Sequence, residues 1–452
     1  MKVHFIAIGG SVMHNLAIAL HKKGYHITGS DDKIFDPSYS NLQRHGLLPD
    51  KEGWQITNIQ PDLDAVILGM HAKPDNPELL KAKELKLKIY SFPEYLYEQT
   101  KHKTRVVIGG SHGKTTITSM VMHVLRENSV HFDYMVGSQI EGFETMVHLD
   151  EQNTLAIFEG DEYLSSPIDN TPKFHIYKPH IALISGIAWD HINVFPSFEN
   201  YLNQFAVFAE KVEPGGTIIY YQGDENVRQV IETRKTNITK VPYDTPNYIT
   251  EKGQTFLVKD AHKIPLHIFG KHNLTNLEGA RKICEHAGIN TEQFYTAIQS
   301  FQGAAKRLQI VAENSRSKIY LDFAHAPSKV EATIQAVKEQ YPEKTLVACL
   351  ELHTFSSLNN EFLHQYKGTM SKADLPFVYY NPEAIEHKGL KMLKPQEVQQ
   401  AFGDQKVQVY TDMNEIVSAI KNLNISDQIL LFMSSGNFNG FKPEQFQTFL
   451  QD

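Results

Sequence analysis

Thr104-Arg-Val-Val-Ile-Gly-Gly-Ser-His-Gly-Lys-Thr-Thr116 decides the fold. Val106, Val107 and Ile108 form a short apolar run, read as a buried parallel strand, and Gly109 to Gly113 read as a tight turn. From Thr115 onward Ile117, Met120, Val121, Val124 and Leu125 recur at helical spacing, so one face of a helix packs on a sheet. Strand, glycine turn and helix make a phosphate cradle. Backbone N–H groups of the turn and of the helix start point at anionic oxygens, Lys114 adds a point charge, and the Thr115 hydroxyl is placed to hold Mg²⁺. The full P-loop pattern puts a glycine where this chain has Ile108, so the motif is the shorter form Gly110-Ser111-His112-Gly113-Lys114-Thr115, with Thr116 following. The competing reading is a glycine turn with a solvated lysine at a helix start; the strand before it and the helix after it weigh against that.

At 452 residues the chain exceeds one ordinary core, and three domains is the working expectation. Hydrophobic content of 41% with 21% charged residues is ordinary for a globular protein and excludes a disordered chain. A net charge of -8 disfavours non-specific binding to nucleic acid and favours small-molecule substrates. Cys284 and Cys349 are far apart and in no Cys-x-x-Cys arrangement, so neither a disulfide framework nor a zinc ribbon is implied. The opening apolar run is too short for a signal peptide, and no stretch approaches membrane-spanning length. The expectation is a cytoplasmic protein with no membrane partner.

Val3 to Ile8 reads as a strand, Gly9-Gly10 as a turn, Met13 to Leu20 as a helix and Tyr25 to Thr28 as the next strand, which is a βαβ unit. Asp31 follows that strand about 20 residues past the turn, where Rossmann-like folds contact a ribose or base. The dinucleotide signature is incomplete: Ala7 stands where its first glycine belongs, and Val12 and Met13 stand where a later one does. A purely structural turn and a ligand site at Gly9, Gly10 and Ser11 both remain open on the motif alone. Ala65 to Gly69 is another buried strand, and its following loop, with His71, sits at a strand end suited to a ligand. Lys88 to Ser91 adds a strand, a short helical segment ends near Tyr97, and the polar stretch Glu98 to Thr104 reads as a linker.

Leu155 to Phe158 is a strand ending in Glu159-Gly-Asp-Glu162, which puts carboxylates where a metal beside bound phosphates belongs. A solvated acidic turn is the alternative. Ile181 to Ser185 is a further strand, and Asp190 and His191 follow it; His191 reads either as a ligand of a second divalent ion or as a satisfied structural histidine.

The order Gly-Ser-His-Gly-Lys-Thr, Glu-Gly-Asp-Glu, Asp-His, His272-Asn-Leu-Thr-Asn276 and Asp322-Phe-Ala-His-Ala-Pro327 resembles the Mur ligases, the ATP-dependent amide ligases of peptidoglycan precursor synthesis. The resemblance spans nearly the whole chain. It implies an α/β protein of three domains: a UDP-sugar-binding Rossmann-like domain over residues 1–100, a P-loop ATPase domain over 101–301, and a C-terminal Rossmann-like domain over 302–452 that closes over the site and brings the amine. It assigns Lys114 to the β/γ-phosphates, Thr115 with Glu159 to the first Mg²⁺ and His191 to the second. It also puts Asn273 and Asn276 near the adenine, Arg307 near the phosphates, Asp322 on the ATP ribose, and UDP at the first glycine turn. Lys306-Arg307 as an exposed charge pair and His272-Asn273 as a helix cap are the bland alternatives.

Within the family the likeness is greatest to the branch that extends UDP-N-acetylmuramate, either with L-alanine or with a ready-made L-Ala-γ-D-Glu-diamino acid tripeptide. Val12, Glu162-Tyr163, Lys173-Phe174-His175 and the loop Ser434 to Gly440 favour the tripeptide. Gly186 and Ala188 stand where many relatives carry Asn and Glu, and Leu164 replaces an Asp. The segment Glu351 to Leu358 differs from the arginine-containing loop of relatives; His353 and Ser357 there, and Asn437 in the glycine loop, are the candidates for meeting the peptide. The implied chemistry is transfer of the γ-phosphoryl of ATP to the muramyl carboxylate, then attack by the amine, with no Ser or Cys nucleophile and a hinge near Gln302-Gly303. A non-catalytic nucleotide-binding scaffold is the reading from another class, opposed by the intact Lys114, Thr115, Glu159 and His191.

Overall fold

Short β-branched runs bounded by glycine turns and separated by amphipathic helices build parallel sheets, because each crossover helix must cover a sheet face. The computed structural model describes residues 1–189, 194–233, 237–260, 262–423 and 427–445. The first sheet has the order His26–Ser30, Lys2–Ile6, Ala65–Leu68, Ile89–Ser91, all parallel. Ala65–Leu68 is buried at every residue, as a strand covered on both faces must be. The helix that closes this region runs Phe92–Thr100, started by a capping box in which Ser91 and Glu94 satisfy one another's backbone donors. Glu98 to Thr100 are therefore its last residues, and the expected linker shrinks to residues 101–103. Polarity misled the reading there, since the outer face of a helix end is as polar as a linker.

The central sheet has seven strands, in the order Thr239–Tyr243, Thr217–Tyr221, Ile181–Ile184, Thr104–Gly109, Leu155–Glu159, Asp133–Met135, Val147–His148. All its pairings are parallel except the last. The glycine-turn strand is thus flanked by Leu155–Glu159 and Ile181–Ile184, with Ile108 opposite Glu159 and Gly109 opposite Ile184. Parallel register brings the acidic run and the segment after Ile184 to the edge where the glycine turn emerges.

Residue contacts divide the chain into two compact units, residues 1–244 with 276–297, and residues 245–275 with 298–452. The first holds both sheets above. The second holds a three-stranded antiparallel sheet, Tyr248–Glu251, Gln254–Lys259, His262–Leu266, and a six-stranded one in the order Gln309–Glu313, Lys318–Asp322, Gln428–Met433, Thr345–Leu352, Leu375–Tyr380, Gln408–Tyr410. Only the first pairing of that sheet is antiparallel. The protein is α/β with several mostly parallel sheets. Among the described residues no helix is long and apolar enough to cross a membrane.

Candidate active site

The glycine turn is built as the sequence reading requires. The helix that follows it runs Lys114–Glu127, with Gly113 before it at φ 79° and Gly110 at φ 132°. Both conformations are ones glycine adopts without the steric penalty of a Cβ. Space forbids a side chain as well: a Cβ on Gly110 would lie 2.1 Å from Ser185 Oγ, and one on Gly113 2.4 Å from Asn276 Oδ1. The turn is clamped to the neighbouring strand end, where Ser111 N–H donates to the Gly186 carbonyl (3.0 Å) and Ala188 N–H donates to Ser111 Oγ (2.8 Å). The His112 ring lies over Gly186, where a Cβ would come within 2.2 Å of it. Glycine at 186 therefore has a local reason. It makes room for His112.

Lys114 Nζ donates to the Gly110 carbonyl (2.7 Å) and to Glu162 Oε2 (2.6 Å), and Tyr201 Oη donates to Glu162 Oε1 (2.9 Å). Burial alone would lower the pKa of this ammonium, but Glu162, with Asp161 and Glu159 behind it, outweighs burial and holds it above the usual lysine value. The lysine is charged at any working pH. Thr115 Oγ1 donates to Glu159 Oε1 (2.7 Å), and the other oxygen of Glu159 accepts the Gly137 N–H (2.8 Å). A hydroxyl and a carboxylate side by side form a hard-oxygen donor pair, which fits Mg²⁺, an ion that keeps waters and completes its shell with substrate phosphates. Among the described residues no group of three or more His, Cys, Asp or Glu is placed to hold a metal. Asp190 and His191 lie outside the described residues.

At the first glycine turn, Gly9 N–H donates to Asp31 Oδ2 (2.7 Å). Burial, reinforced by Asp32, pushes the Asp31 carboxyl up to about 6. Ala7, in the place of the missing glycine, takes φ 66°, the left-handed conformation itself. Gly10 and Ser11 start the helix Ser11–Lys22, from which Asn15 Oδ1 accepts the Met146 N–H (3.0 Å) and Ser11 Oγ reaches Met146 Sδ (3.4 Å). Gly9, Gly10, Ser11 and Asp31 are therefore together. His71 is on the exposed loop after Ala65–Leu68.

Asn276 reaches Gly113 in the first unit, whereas Asn273, buried in the second, donates to the Phe269 carbonyl (3.0 Å). In the second unit Asp322 accepts the backbone N–H of Leu308 and of Ala324, each at 2.7 Å. It thereby fixes the segment carrying Arg307, whose guanidinium sits 4.5 Å above the Phe323 ring. His272 is half-buried, and desolvation lowers its pKa against the pull of Asp322 and Glu339. Of the candidates for the amine, His353 is partly exposed and Asn437 exposed. Ser357 is fully buried, with its hydroxyl spent on Thr354 (3.0 and 3.1 Å), so in this conformation it closes a turn. Beside the strand ends of Leu375–Tyr380 and Gln408–Tyr410 a cavity of about 570 Å³ opens, walled by Tyr379, Asn381, Asp412 and residues 438–441.

Three residues escaped the sequence reading. Glu162 was read as part of an acidic run and, with Tyr163, as a mark of the tripeptide branch, but not as what it is, the lysine's partner. Arg105 and Glu351 sit in strands, where a lone charge reads as an exposed face, and both are almost fully buried. Arg105 donates to the carbonyls of Tyr177, Lys178, Thr100, Lys101 and Lys103, tying strand, helix end and linker. Cys284 and Cys349 are buried, and burial pushes both thiols up, toward the less nucleophilic protonated form.

Known proteins match the chain along its length. Residues 2–104 match the Mur ligase family catalytic domain, 108–283 the Mur ligase middle domain, and 306–436 the Mur ligase glutamate ligase domain. A UDP-N-acetylmuramate–L-alanine ligase of Caldicellulosiruptor bescii is 30% identical over 387 residues, covering 82% of each chain. The Haemophilus influenzae ligase that joins UDP-N-acetylmuramate to L-alanyl-gamma-D-glutamyl-meso-2,6-diaminoheptandioate is 25% identical over 97% of each chain. Among solved structures, the UDP-N-acetylmuramate-alanine ligase of Thermotoga maritima aligns with a TM-score of 0.71 over 99% of this chain and 98% of its own, at 18% identity.

Proposed function

Because the chain belongs to the Mur ligase family, and is therefore an ATP-dependent ligase forming C–N bonds, we propose that it joins the lactyl carboxylate of UDP-N-acetylmuramate to the α-amine of an L-Ala-γ-D-Glu-diamino acid tripeptide. The observation that supports a peptide over a single amino acid is the cavity of about 570 Å³ in the second unit, most of which one alanine would leave empty. The L-alanine ligases among the relatives favour a second reading, in which the amine is L-alanine itself.

A carboxylate is a poor electrophile and must first be converted to an acyl phosphate. Lys114, fixed at the helix start, sets a positive charge against the transferring phosphoryl group, and the N–H groups of the glycine turn orient its oxygens. Thr115 and Glu159 would hold Mg²⁺, which supplies charge neutralisation at the phosphates when bound. Transfer moves the γ-phosphoryl from ATP to a carboxylate oxygen and releases ADP. The amine nitrogen then attacks the acyl carbon, gives up a proton, and phosphate leaves. No enzyme thiol or hydroxyl becomes acylated. Gly9, Gly10, Ser11 and Asp31 would take the UDP portion, Asp31 Oδ2 already being turned toward the glycine turn by Gly9 N–H.

The test is phosphate release with ATP, Mg²⁺ and UDP-N-acetylmuramate in the presence of tripeptide, of L-alanine and of neither. Release that depends on tripeptide supports the proposal, release with L-alanine alone supports the second reading, and no release in any arm overturns both.

A further inference from the structure

We propose that Glu351 is a positioning residue that holds one wall of the amine cavity in shape; the inference rests on reading that cavity as the place of the incoming amine. Glu351 is 3% exposed, near the end of Thr345–Leu352, a strand inside the six-stranded sheet. A carboxylate there can only accept hydrogen bonds, so its burial requires donors. Two come from the glycine loop and meet the same oxygen: the Ser434 hydroxyl and the Phe438 N–H, the latter at 2.9 Å from Oε2. The Ser434 oxygen in turn accepts the Gly436 N–H (2.7 Å), and His353 Nδ1 lies 3.9 Å from Glu351 Oε1.

The loop these bonds hold is one the chain would not adopt unaided. Phe438 has φ 50° and Asn439 φ 54°, followed by Gly440 at φ 83°. A bulky residue in the left-handed region is a steric outlier and persists only where its surroundings over-determine it. Here the ring is buried and packs edge-on against Phe432 with centroids 5.7 Å apart, while the N–H is held by Glu351. Gly436 admits no side chain, since a Cβ would lie 2.8 Å from the His353 ring and 2.9 Å from Glu351 Oε2. Residues 438–441 then form one wall of the cavity, and Tyr379, paired with Glu351 across the sheet, contributes to another. Glu351 itself does not line the cavity. It acts through the loop it anchors.

The consequence is selective. Losing the carboxylate frees the loop and spoils capture of the amine, while phosphoryl transfer, which uses groups of the glycine turn, is spared. Full-length Glu351→Gln keeps the shape but replaces one acceptor face by a donor. Ser434→Ala removes one of the two donors and is the milder variant. Each is assayed with ATP, Mg²⁺ and UDP-N-acetylmuramate in two ways: with varied tripeptide or L-alanine, whichever the wild type uses, and with hydroxylamine, a small nucleophile that traps the acyl phosphate as a hydroxamate. The expected result is an amine KM raised about tenfold or more, with hydroxamate formation and the KM values for ATP and UDP-N-acetylmuramate within about twofold of wild type. An unchanged amine KM overturns the inference. So does a hydroxamate rate that falls in step with amine turnover, the mark of a merely structural role. If Glu351→Gln does not fold, Ser434→Ala decides by the same readouts. A wild-type protein that forms neither amide nor hydroxamate refutes the ligase reading instead, so the two failures are distinguishable.

Discussion

Replacing Lys114 by Met separates what this lysine does for the fold from what it does for the reaction. Its ammonium lies 2.6 Å from Glu162 Oε2, and Glu162 is 1% exposed. At an effective dielectric of about 20 that separation corresponds to roughly 6 kcal/mol of attraction before either group's desolvation is counted. Removing one partner of a buried pair leaves the other charge uncompensated, a loss of about 3–5 kcal/mol. Lys114→Met leaves the Tyr201 hydroxyl donating to Glu162 Oε1 but removes the ammonium that balances the carboxylate's charge. In Lys114→Met/Glu162→Gln the buried charge is gone, and most of the lost stability returns. Both tryptophans, Trp54 and Trp189, belong to the first unit, so their fluorescence during urea unfolding reports on the unit that holds the pair. The single variant's midpoint should fall by about 1 M or more, and the double variant's should recover. Activity should fall at least about a hundredfold in both, because neither restores the positive charge proposed to face the phosphates. A single variant as stable as wild type, or a double variant no more stable than the single, would refute the pairing argument. A double variant that regained activity would refute the catalytic role.

Asp31, with its carboxyl pushed up to about 6 by burial, gives a pH signature. Its raised pKa means that the stability it contributes is present below the ordinary aspartate range and is lost as pH rises through about 6, so Asp31→Asn should make the free protein slightly more stable at pH 7 and above. If the ionised form is the one that meets UDP, the KM for UDP-N-acetylmuramate should rise as pH drops below about 6, and a flat profile would remove Asp31 from that site. Arg105→Met strands the carbonyls of Tyr177, Lys178, Thr100, Lys101 and Lys103 in the interior and should cost about 3–5 kcal/mol in urea unfolding; a change under about 1 kcal/mol would count against it as the tie at this junction. Gly186→Ala drives a methyl into the His112 ring, 2.2 Å away, and should lower kcat about tenfold or more by displacing the glycine turn, with the unfolding midpoint changed little. Wild-type kinetics would show that the turn does not depend on this packing.

Local chemistry was legible because it is written locally. Gly110 and Gly113 sit at positive φ as the turn required, and the strand–turn–helix order fixed both the sheet and the edge at which Glu159 emerges. Even Ala7, which broke the dinucleotide signature, adopts a left-handed backbone conformation of the kind glycine favours. What stayed hidden were partnerships across long stretches of chain. Nothing in Glu159-Gly-Asp-Glu162 says which carboxylate takes the Thr115 hydroxyl and which pairs with the lysine; that depends on the turn after Glu159 and on Tyr201, 39 residues on. Arg105 and Glu351 were invisible for the same reason: a charge in a strand looks exposed until its partners arrive from elsewhere in the chain. Ser357 erred the other way, since a hydroxyl at a strand end looks available until the turn it closes is seen.

The proposed reaction turns on an acyl phosphate made from the lactyl carboxylate. UDP-N-acetylmuramate carrying a heavy-oxygen label in that carboxylate, turned over with ATP and the amine that supports release, tests this directly. One label atom should leave with each inorganic phosphate and one remain in the amide. Unlabelled phosphate, with both label atoms still on the sugar or lost to water, would contradict it.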